Sequence, residues 1–338
     1  MNSLHAGLVV SKCQGCGGAG TNYISAVNVT TLLQVAARRA TNGAIDPLTH
    51  IGHGRYWLYR GAKDSCYNVG SVDNAAAFYE RLGGVVSFVN STVPSLHCIP
   101  TVSDGTPCGT EGDYTEAKPH GLEACGFDGA GEALKHIYGE LRPPVPQRVS
   151  GLRRFDQVEF DLPHAGLDTL GGFVYVPVAC DTQSMCKLHV FVHGCGMAAH
   201  AGPTAYAFND TYARRAGFNG WAEANNIVVL YPQLHYGARA SCAAQIGDCW
   251  DQGGATGEAW ADKGGQQVQA VKAMINRLIQ KPPRVKSSAP AHLLPLWHRT
   301  GNATTTTWRG PDGFHIRRNA TNRAATHAAP RRRVLDDE

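Results

Sequence analysis

The sequence predicts an α/β fold in which a mostly parallel sheet is covered by helices on both faces. Short apolar segments typical of buried strands alternate with longer segments whose apolar residues recur at helical spacing. Of the 338 residues, 43% are hydrophobic and 17% are charged, which is enough for a sizeable core. No apolar run is long enough to cross a bilayer, so we expect no membrane partner.

The elements follow in a regular order along the chain. In the first half we predict strands at 6–11, 55–59 and 85–89 and helices at 28–41, 72–82 and 129–141. The Pro-rich segment 142–151 predicts a linker. In the second half we predict strands at 157–161, 172–178, 188–193 and 227–231 and helices at 217–225 and 264–279. A single domain therefore spans 1–280, and the linker divides it into halves at 1–141 and 152–280.

The last part of the chain, residues 281–338, has a different composition. It is rich in Pro, Thr, Arg and His and lacks apolar periodicity, so we predict a disordered tail. It contains 11 Lys and Arg against 4 Asp and Glu, which leaves a basic interaction tail as one alternative and non-native coding sequence as another. The preceding residues hold 20 basic and 23 acidic side chains, so we expect no nucleic-acid partner.

Cysteines are frequent, and most of them are close to another in sequence. The total is 11, in the sets 13/16, 98/108/125, 180/186 and 242/249, with 66 and 195 apart from these. Such sets predict disulfides and an oxidising compartment, and an odd total leaves one cysteine without an intrachain partner. Zinc is a weak alternative, because the spacing of Cys13 and Cys16 has no matching second half.

Five N-x-[ST] acceptors agree with a secreted, extracellular protein, although the N-terminus has no signal-peptide features. They lie at Asn28, Asn90, Asn209, Asn302 and Asn319. The cysteines and acceptors are typical of a secreted protein, but no leader is recognised, so we expect that the start of the chain is incomplete.

An acid and a histidine follow two successive predicted strands. Asp64 lies just after the strand 55–59, and His97 lies in the loop after the strand 85–89. These positions are typical of the acid and the base of a catalytic triad, in which the acid orients the histidine and stabilises its cation. The alternative for Asp64 is a local turn cap, and any single histidine among 15 is weak evidence alone.

A strand running into the turn His193-Gly194-Cys195-Gly196 predicts backbone N–H groups aimed at a developing oxyanion. We assign Cys195 to an oxyanion hole through its N–H, with a nucleophilic thiol as the less favoured alternative and a disulfide as another use of its sulfur. Trp250 either lines a substrate cleft or packs on a disulfide.

No G-x-S-x-G elbow occurs, so the sequence shows no candidate nucleophile. We expect neither a metal nor a cofactor.

The motifs together resemble the circularly permuted, fungal-type poly(3-hydroxybutyrate) depolymerases and their esterase relatives. The matching segments are AIDPL, YRGAKDS, HCIPT, CGFDGAGEALKHIYG, FVYVPVAC, LHVFVHGC, GFNGWAEANNIVVLYPQ and CWDQGGATG. This resemblance implies an α/β-hydrolase fold in which the half with the triad precedes the half with the HGC turn. It implies triad roles for Asp64 and His97, an oxyanion role for Cys195 and a cleft position for Trp250. It also implies a serine elbow before the strand 6–11, so we expect an N-terminally truncated chain.

We therefore predict a serine-esterase-family hydrolase, a monomer, that acts on short-chain polyhydroxyalkanoate esters. One alternative is a catalytically inactive hydrolase-fold module that binds polymer or a partner. Another is an esterase that removes acetyl or feruloyl groups from polysaccharide.

Overall fold

The structure is a computed structural model that describes residues 28–67, 69–111, 119, 121–163, 165–181, 185–199, 209–235, 249–251, 254–280, 298–300, 305–309 and 315–319. The chain divides into two compact units, Met1–Pro282 and Pro283–Glu338. The strand predicted at 6–11 lies outside the described residues.

The first part of the larger unit is a strand–helix–strand crossover. Helix α1 (Val29–Thr41) comes first, and the Asn28 side chain caps it by accepting from the N–H of Thr31. Strand β1 (Arg55–Arg60), helix α2 (Val69–Arg81) and strand β2 (Val85–Asn90) follow, and β1 and β2 pair in parallel. Helix α2 is the crossover that a parallel pair needs. Because β1 and β2 run in the same direction, their C-terminal ends lie at the same edge of the sheet.

A small parallel sheet follows β2. Its strands are β3 (Ile99–Thr101), β4 (Thr106–Pro107) and β5 (Leu122–Ala124), with β5 in the centre. Helix α3 (Gly129–Tyr138) comes next, and its cap residue Asp128 accepts from the N–H of Gly131 and from Nε1 of Trp221. This second bond ties the start of α3 to the second half of the unit.

The second half of the unit is a mixed sheet. Strands β6 (Leu152–Phe155), β7 (Gly172–Tyr175) and β8 (Lys187–Val190) come first; helices α4 (Thr211–Arg215) and α5 (Phe218–Asn225), strand β9 (Ile227–Tyr231) and helix α6 (Gln266–Ile279) follow. The β8–β9 pair is parallel, whereas β6–β7 and β7–β9 are antiparallel.

The strand predicted at 157–161 was wrong. Val158–Phe160 form a 3-10 turn, and the buried Gln157 side chain donates to Asp168 O (3.1 Å) and Gln233 O (2.5 Å). A buried amide that bonds backbone groups competes with strand pairing at that point. Strand β6, which the sequence did not predict, takes the place of that strand beside β7.

The core lies between this sheet and helices α3 and α5. The fully buried side chains Leu122, Leu134, Tyr175, Ile227 and Val229 belong to one cluster.

Within the described residues no helix combines the length and the apolar character needed to cross a membrane.

In the smaller unit the structure describes three strands, β10 (His298–Thr300), β11 (Thr305–Arg309) and β12 (His315–Asn319). They pair antiparallel in sequence order. The sequence predicts disorder throughout 281–338, so these three strands are a difference from that prediction. The remaining residues of the tail lie outside the described part.

Candidate functional site

The turn that follows β1 carries Asp64 and lies against the segment that leads to the predicted histidine. The N–H groups of Ala62 and Lys63 donate to Val93 O (2.7 Å) and Ser95 O (2.9 Å). Because β1 and β2 end at the same edge of the sheet, the two segments leave it side by side. Backbone hydrogen bonds alone therefore hold the turn that carries Asp64 against the segment that leads to His97.

The structure brings Asp64 and His97 together. Oδ2 of Asp64 lies 3.0 Å from Nδ1 of His97, and the acid side chain is 6% exposed whereas the imidazole is 48% exposed. Oδ1 of Asp64 accepts from the N–H groups of Cys66 (2.8 Å) and Tyr67 (3.1 Å). Both carboxylate oxygens are thus used, one to fix the turn and the other to meet the histidine.

Electrostatics favour the ionised form of this acid. Burial by itself raises the pKa of Asp64, but the hydrogen bond and charge of His97 and the N–H groups of Tyr67 and Cys66 lower it, and the net pKa is below the ordinary value. An ionised carboxylate accepts a hydrogen, so Nδ1 of His97 carries the proton and Nε2 remains the basic nitrogen. Nε2 of this half-exposed imidazole is therefore the atom that can take up a proton.

A second buried acid supports the histidine loop, and sequence reasoning did not find it. The Glu123 side chain, on β5, is buried and accepts from Leu96 N (3.2 Å) and Gly109 N (2.6 Å). Beside it, burial first and the Glu123 charge second raise the pKa of the Cys98 thiol to about 12. Cys98 therefore stays a thiol at neutral pH and is a poor nucleophile.

The predicted oxyanion turn follows β8, which ends at Val190 rather than at His193. The buried His193 accepts from Leu234 N at Nε2 (3.2 Å), so its Nδ1 donates to Gly194 O (2.8 Å). The histidine thus holds the first peptide of the turn in place.

The sulfur of Cys195 is bonded to that of Cys249 in a disulfide. This excludes the nucleophilic alternative for Cys195, because a disulfide sulfur has no thiolate to attack an ester. The oxyanion role, which uses the N–H, stays a prediction.

Trp250 lies beside this turn because it follows Cys249. Its ring centroid is 5.8 Å from that of His193, and its buried Nε1 has no hydrogen-bond partner among the described residues. The next residue, Asp251, accepts from the N–H groups of Gly254, Ala255 and Thr256, which fixes the loop. A role for Trp250 in substrate binding stays a prediction.

The histidine loop and the oxyanion turn approach the same glycine. A Cβ built on Gly121 would lie 3.7 Å from Sδ of Met197 and 3.9 Å from the carbonyl oxygen of His97. Met197 is two residues beyond Cys195, so both predicted parts of the site flank one point of the larger unit.

The disulfides of the described residues agree with two of the four predicted sets. Cys108 pairs with Cys125 and Cys180 with Cys186, as two of the sets indicate. Cys249, of the set 242/249, bonds Cys195, and this is the disulfide that the sequence left open as another use of the Cys195 sulfur. Cys98 is the free cysteine of the described residues, and Cys66 is disulfide-bonded. The pair 13/16, and the zinc alternative with it, lie outside the described residues.

Two groups of side chains in the described part place three potential ligand atoms within 4.8 Å of one another. The first is Asp64, Cys66 and His97, and the second is Cys108, Glu123 and Cys125. Each contains disulfide-bonded cysteine, whose sulfur is not the thiolate that a metal prefers. The potential metal ligands that remain are Asp64 and His97 in the first group and Glu123 alone in the second.

Comparison with known proteins gives consistent relatives. No family model matches the chain. A poly(3-hydroxybutyrate) depolymerase of Delftia acidovorans is 32% identical over 257 residues, which cover 75% of this chain and 48% of that protein. A polyhydroxybutyrate depolymerase of Talaromyces funiculosus is 27% identical over 252 residues, which cover 70% of this chain and 69% of that protein. The chain thus spans about half the length of the Delftia relative.

Two solved structures share the fold. The crystal structure of PHB depolymerase from Penicillium funiculosum matches with a TM-score of 0.63 at 24% identity, covering 77% of this chain and 83% of that one. A variant of PHB depolymerase in complex with an R3HB trimer gives a TM-score of 0.63 at 24% identity, covering 75% and 78%. Parallel strands, crossover helices and this match define an α/β-hydrolase fold, as the sequence predicts. In its sequence and in its fold the chain is similar to PHB depolymerases.

Proposed function

We propose that this protein is a carboxylic ester hydrolase that acts on polyhydroxybutyrate-like esters. The observation that carries the proposal is the 3.0 Å contact between Nδ1 of His97 and Oδ2 of Asp64. This contact occupies Nδ1 and leaves Nε2 as the basic nitrogen of an imidazole that is half-exposed. The names of the relatives supply the substrate class.

In this proposal a hydroxyl oxygen attacks the ester carbonyl carbon while its proton passes to Nε2 of His97. Asp64 stays ionised and stabilises the imidazolium. Backbone N–H groups of the turn 193–196 donate to the carbonyl oxygen as it becomes negative. Nε2 then returns its proton to the leaving alkoxide, and water repeats the sequence on the acyl intermediate.

The attacking group is the part of the proposal that needs a direct experiment, because the sequence contains no G-x-S-x-G pentad. The purified full chain is incubated with p-nitrophenyl butyrate and with hydroxybutyrate trimers, and then with a fluorophosphonate that labels activated serine. Peptide mapping of the labelled protein identifies the nucleophile. Turnover that His97→Ala abolishes, and that the exposed His50→Ala leaves intact, supports the proposal.

The same absence favours a second candidate, a hydrolase-fold module that binds polyester without cleaving it. This candidate predicts that the folded protein sediments with poly(3-hydroxybutyrate) granules, releases no p-nitrophenol and is not labelled by the fluorophosphonate. A panel that includes acetylated and feruloylated polysaccharide separates the polyester from the polysaccharide esterase alternative.

We further propose that the protein is secreted. The disulfides of the described residues support this, since such bonds persist in oxidising compartments. Two predicted glycosylation acceptors, Asn28 and Asn209, are exposed, and each side-chain oxygen accepts a hydrogen bond while Nδ2 remains the nitrogen for a glycan. Expression behind a heterologous secretion leader in a eukaryotic host should give a folded protein in the medium that loses mass on treatment with an N-glycosidase.

A further inference from the structure

A buried arginine lies inside the turn that carries Asp64. Arg60 is the last residue of β1, and it is 7% exposed. Its guanidinium donates to Tyr67 O (2.6 Å), Gly61 O (2.9 Å), Asp64 O (2.7 Å) and Ser91 Oγ (2.8 Å). A buried guanidinium needs acceptors for its donors, and three of these four are backbone carbonyls of the turn 61–67.

These bonds restrain both ends of the segment whose N–H groups orient the acid. The Asp64 carbonyl and the Tyr67 carbonyl are both fixed by the guanidinium, at the beginning and at the end of the segment 64–67. Between them lie the N–H groups of Cys66 and Tyr67, which bond Oδ1 of the same Asp64. If the carbonyls were released, these N–H groups would turn away and Oδ1 would lose its partners.

We propose that Arg60 is a positioning residue for Asp64, because it fixes the turn 61–67 so that Oδ2 of Asp64 meets Nδ1 of His97. Ser91, just beyond β2, completes the set by joining the guanidinium to the strand that leads toward His97. The proposal deepens the proposed function, since it rests on the acid–histidine pair.

Geometry requires an arginine here. The guanidinium presents donors on three nitrogens in one plane, and Nε, Nη1 and Nη2 of Arg60 all take part. A lysine keeps the positive charge but has one nitrogen, which cannot reach acceptors at both ends of the turn. Arg60→Lys therefore tests whether the geometry of the guanidinium is needed, because the positive charge is kept. Arg55→Lys is the control, because it makes the same chemical change away from the turn. Arg55, at the other end of β1, is exposed and bonds only a carbonyl of α3, at His136, among the contacts seen for it.

The experiment uses nuclear magnetic resonance on the full chain, so it does not depend on activity. The first signal is the downfield proton of the hydrogen bond between Nδ1 of His97 and Asp64. The second is the pKa of the Asp64 carboxyl, followed by its ¹³C shift; in the wild type this pKa lies below its ordinary value. We expect Arg60→Lys to remove the downfield proton and to raise the Asp64 pKa, and Arg55→Lys to change neither. Asp64→Asn identifies the proton.

If Arg60→Lys folds and both signals match the wild type, Arg60 only stabilises the fold and the proposal is wrong. If Arg60→Lys does not fold, Ser91→Gly decides. It removes one acceptor of the guanidinium, and glycine suits the φ of +62° at that position. We then expect the downfield proton to broaden and the Asp64 pKa to rise by a smaller amount, and unchanged signals overturn the proposal.

The outcomes for the two proposals are distinct. If the wild type hydrolyses no ester but Arg60→Lys still removes the downfield proton and raises the Asp64 pKa, the esterase proposal is rejected and the positioning role stands. Ester hydrolysis that Arg60→Lys leaves unchanged in both kcat and KM would reject the positioning role alone.

Discussion

The disulfide between Cys195 and Cys249 joins the turn that follows β8 to the loop that carries Trp250. Its two half-cystines are 54 residues apart in sequence, whereas Cys180 and Cys186 are only 6 apart. The long link restrains both the turn with the predicted oxyanion N–H and the partly buried indole of Trp250. A change at this bond should therefore affect stability and the site together.

We predict that replacing Cys195 and Cys249 by Ala costs more stability than replacing Cys180 and Cys186. The chain-entropy model gives about 4 kcal/mol for the long loop and about 2 kcal/mol for the short one. Urea unfolding of the two double variants measures the difference in the free energy of unfolding. Equal losses would show that strain or residual structure, rather than loop length, sets the effect.

Asp64→Asn should lower kcat for p-nitrophenyl butyrate by roughly 10⁴-fold with little change in KM. The amide keeps the shape of the side chain, but it cannot hold Nδ1 of His97 in the protonated tautomer or stabilise the imidazolium. Asp46→Asn is the matched control, because Asp46 is exposed and its contact is a 3.7 Å ion pair with Lys263. A wild-type rate in Asp64→Asn would remove the acid from the mechanism.

A partly buried histidine outside the site predicts acid sensitivity. His189, on β8, stacks on Phe218 with centroids 5.1 Å apart, and burial lowers its pKa to about 4. Since the folded pKa lies below the unfolded value of about 6.5, the unfolded chain binds the proton first. The protein should lose stability as the pH falls from about 6.5 to about 4, by about 3 kcal/mol from this group.

His189→Phe keeps an aromatic ring against Phe218 and removes the titration. The free energy of unfolding of this variant, measured in urea at pH 7.5 and at pH 4.5, should fall less than that of the wild type. His50→Ala, at an exposed site, should follow the wild type at both pH values. A parallel fall in all three proteins would assign the acid sensitivity to other groups.

The proximity of Asp64 and His97 could be predicted from the sequence, because each follows a strand with clear apolar residues and the two strands run in the same direction. It could not place Arg60 or Glu123 as supporting groups. Their partners are backbone carbonyls and N–H groups of distant segments, and such acceptors and donors leave no residue pattern. A disulfide at Cys195 could be anticipated, but its partner could not be named, because both Cys242 and Cys249 lie in the cysteine-rich region that follows.

Gly61 tests how closely the two loops of the site must approach. A Cβ at this position would lie 2.2 Å from Ser95 Oγ, 2.3 Å from Ser95 O and 2.6 Å from Leu96 O. Two of these atoms are backbone, so Gly61→Ala can be accommodated only if the turn with Asp64 moves away from the loop with His97. We expect the downfield proton of the Asp64–His97 bond to vanish and the free energy of unfolding to fall by about 1–3 kcal/mol.

Gly264→Ala is the control for this substitution, because nothing lies within 4 Å of its built Cβ and its φ is not in the left-handed region. It should leave both measurements unchanged. Retention of the downfield proton in Gly61→Ala would mean that the loops separate without parting the acid from the histidine. In that case the contact would depend on the side chains alone, and the backbone bonds from Ala62 and Lys63 would not be needed to form it.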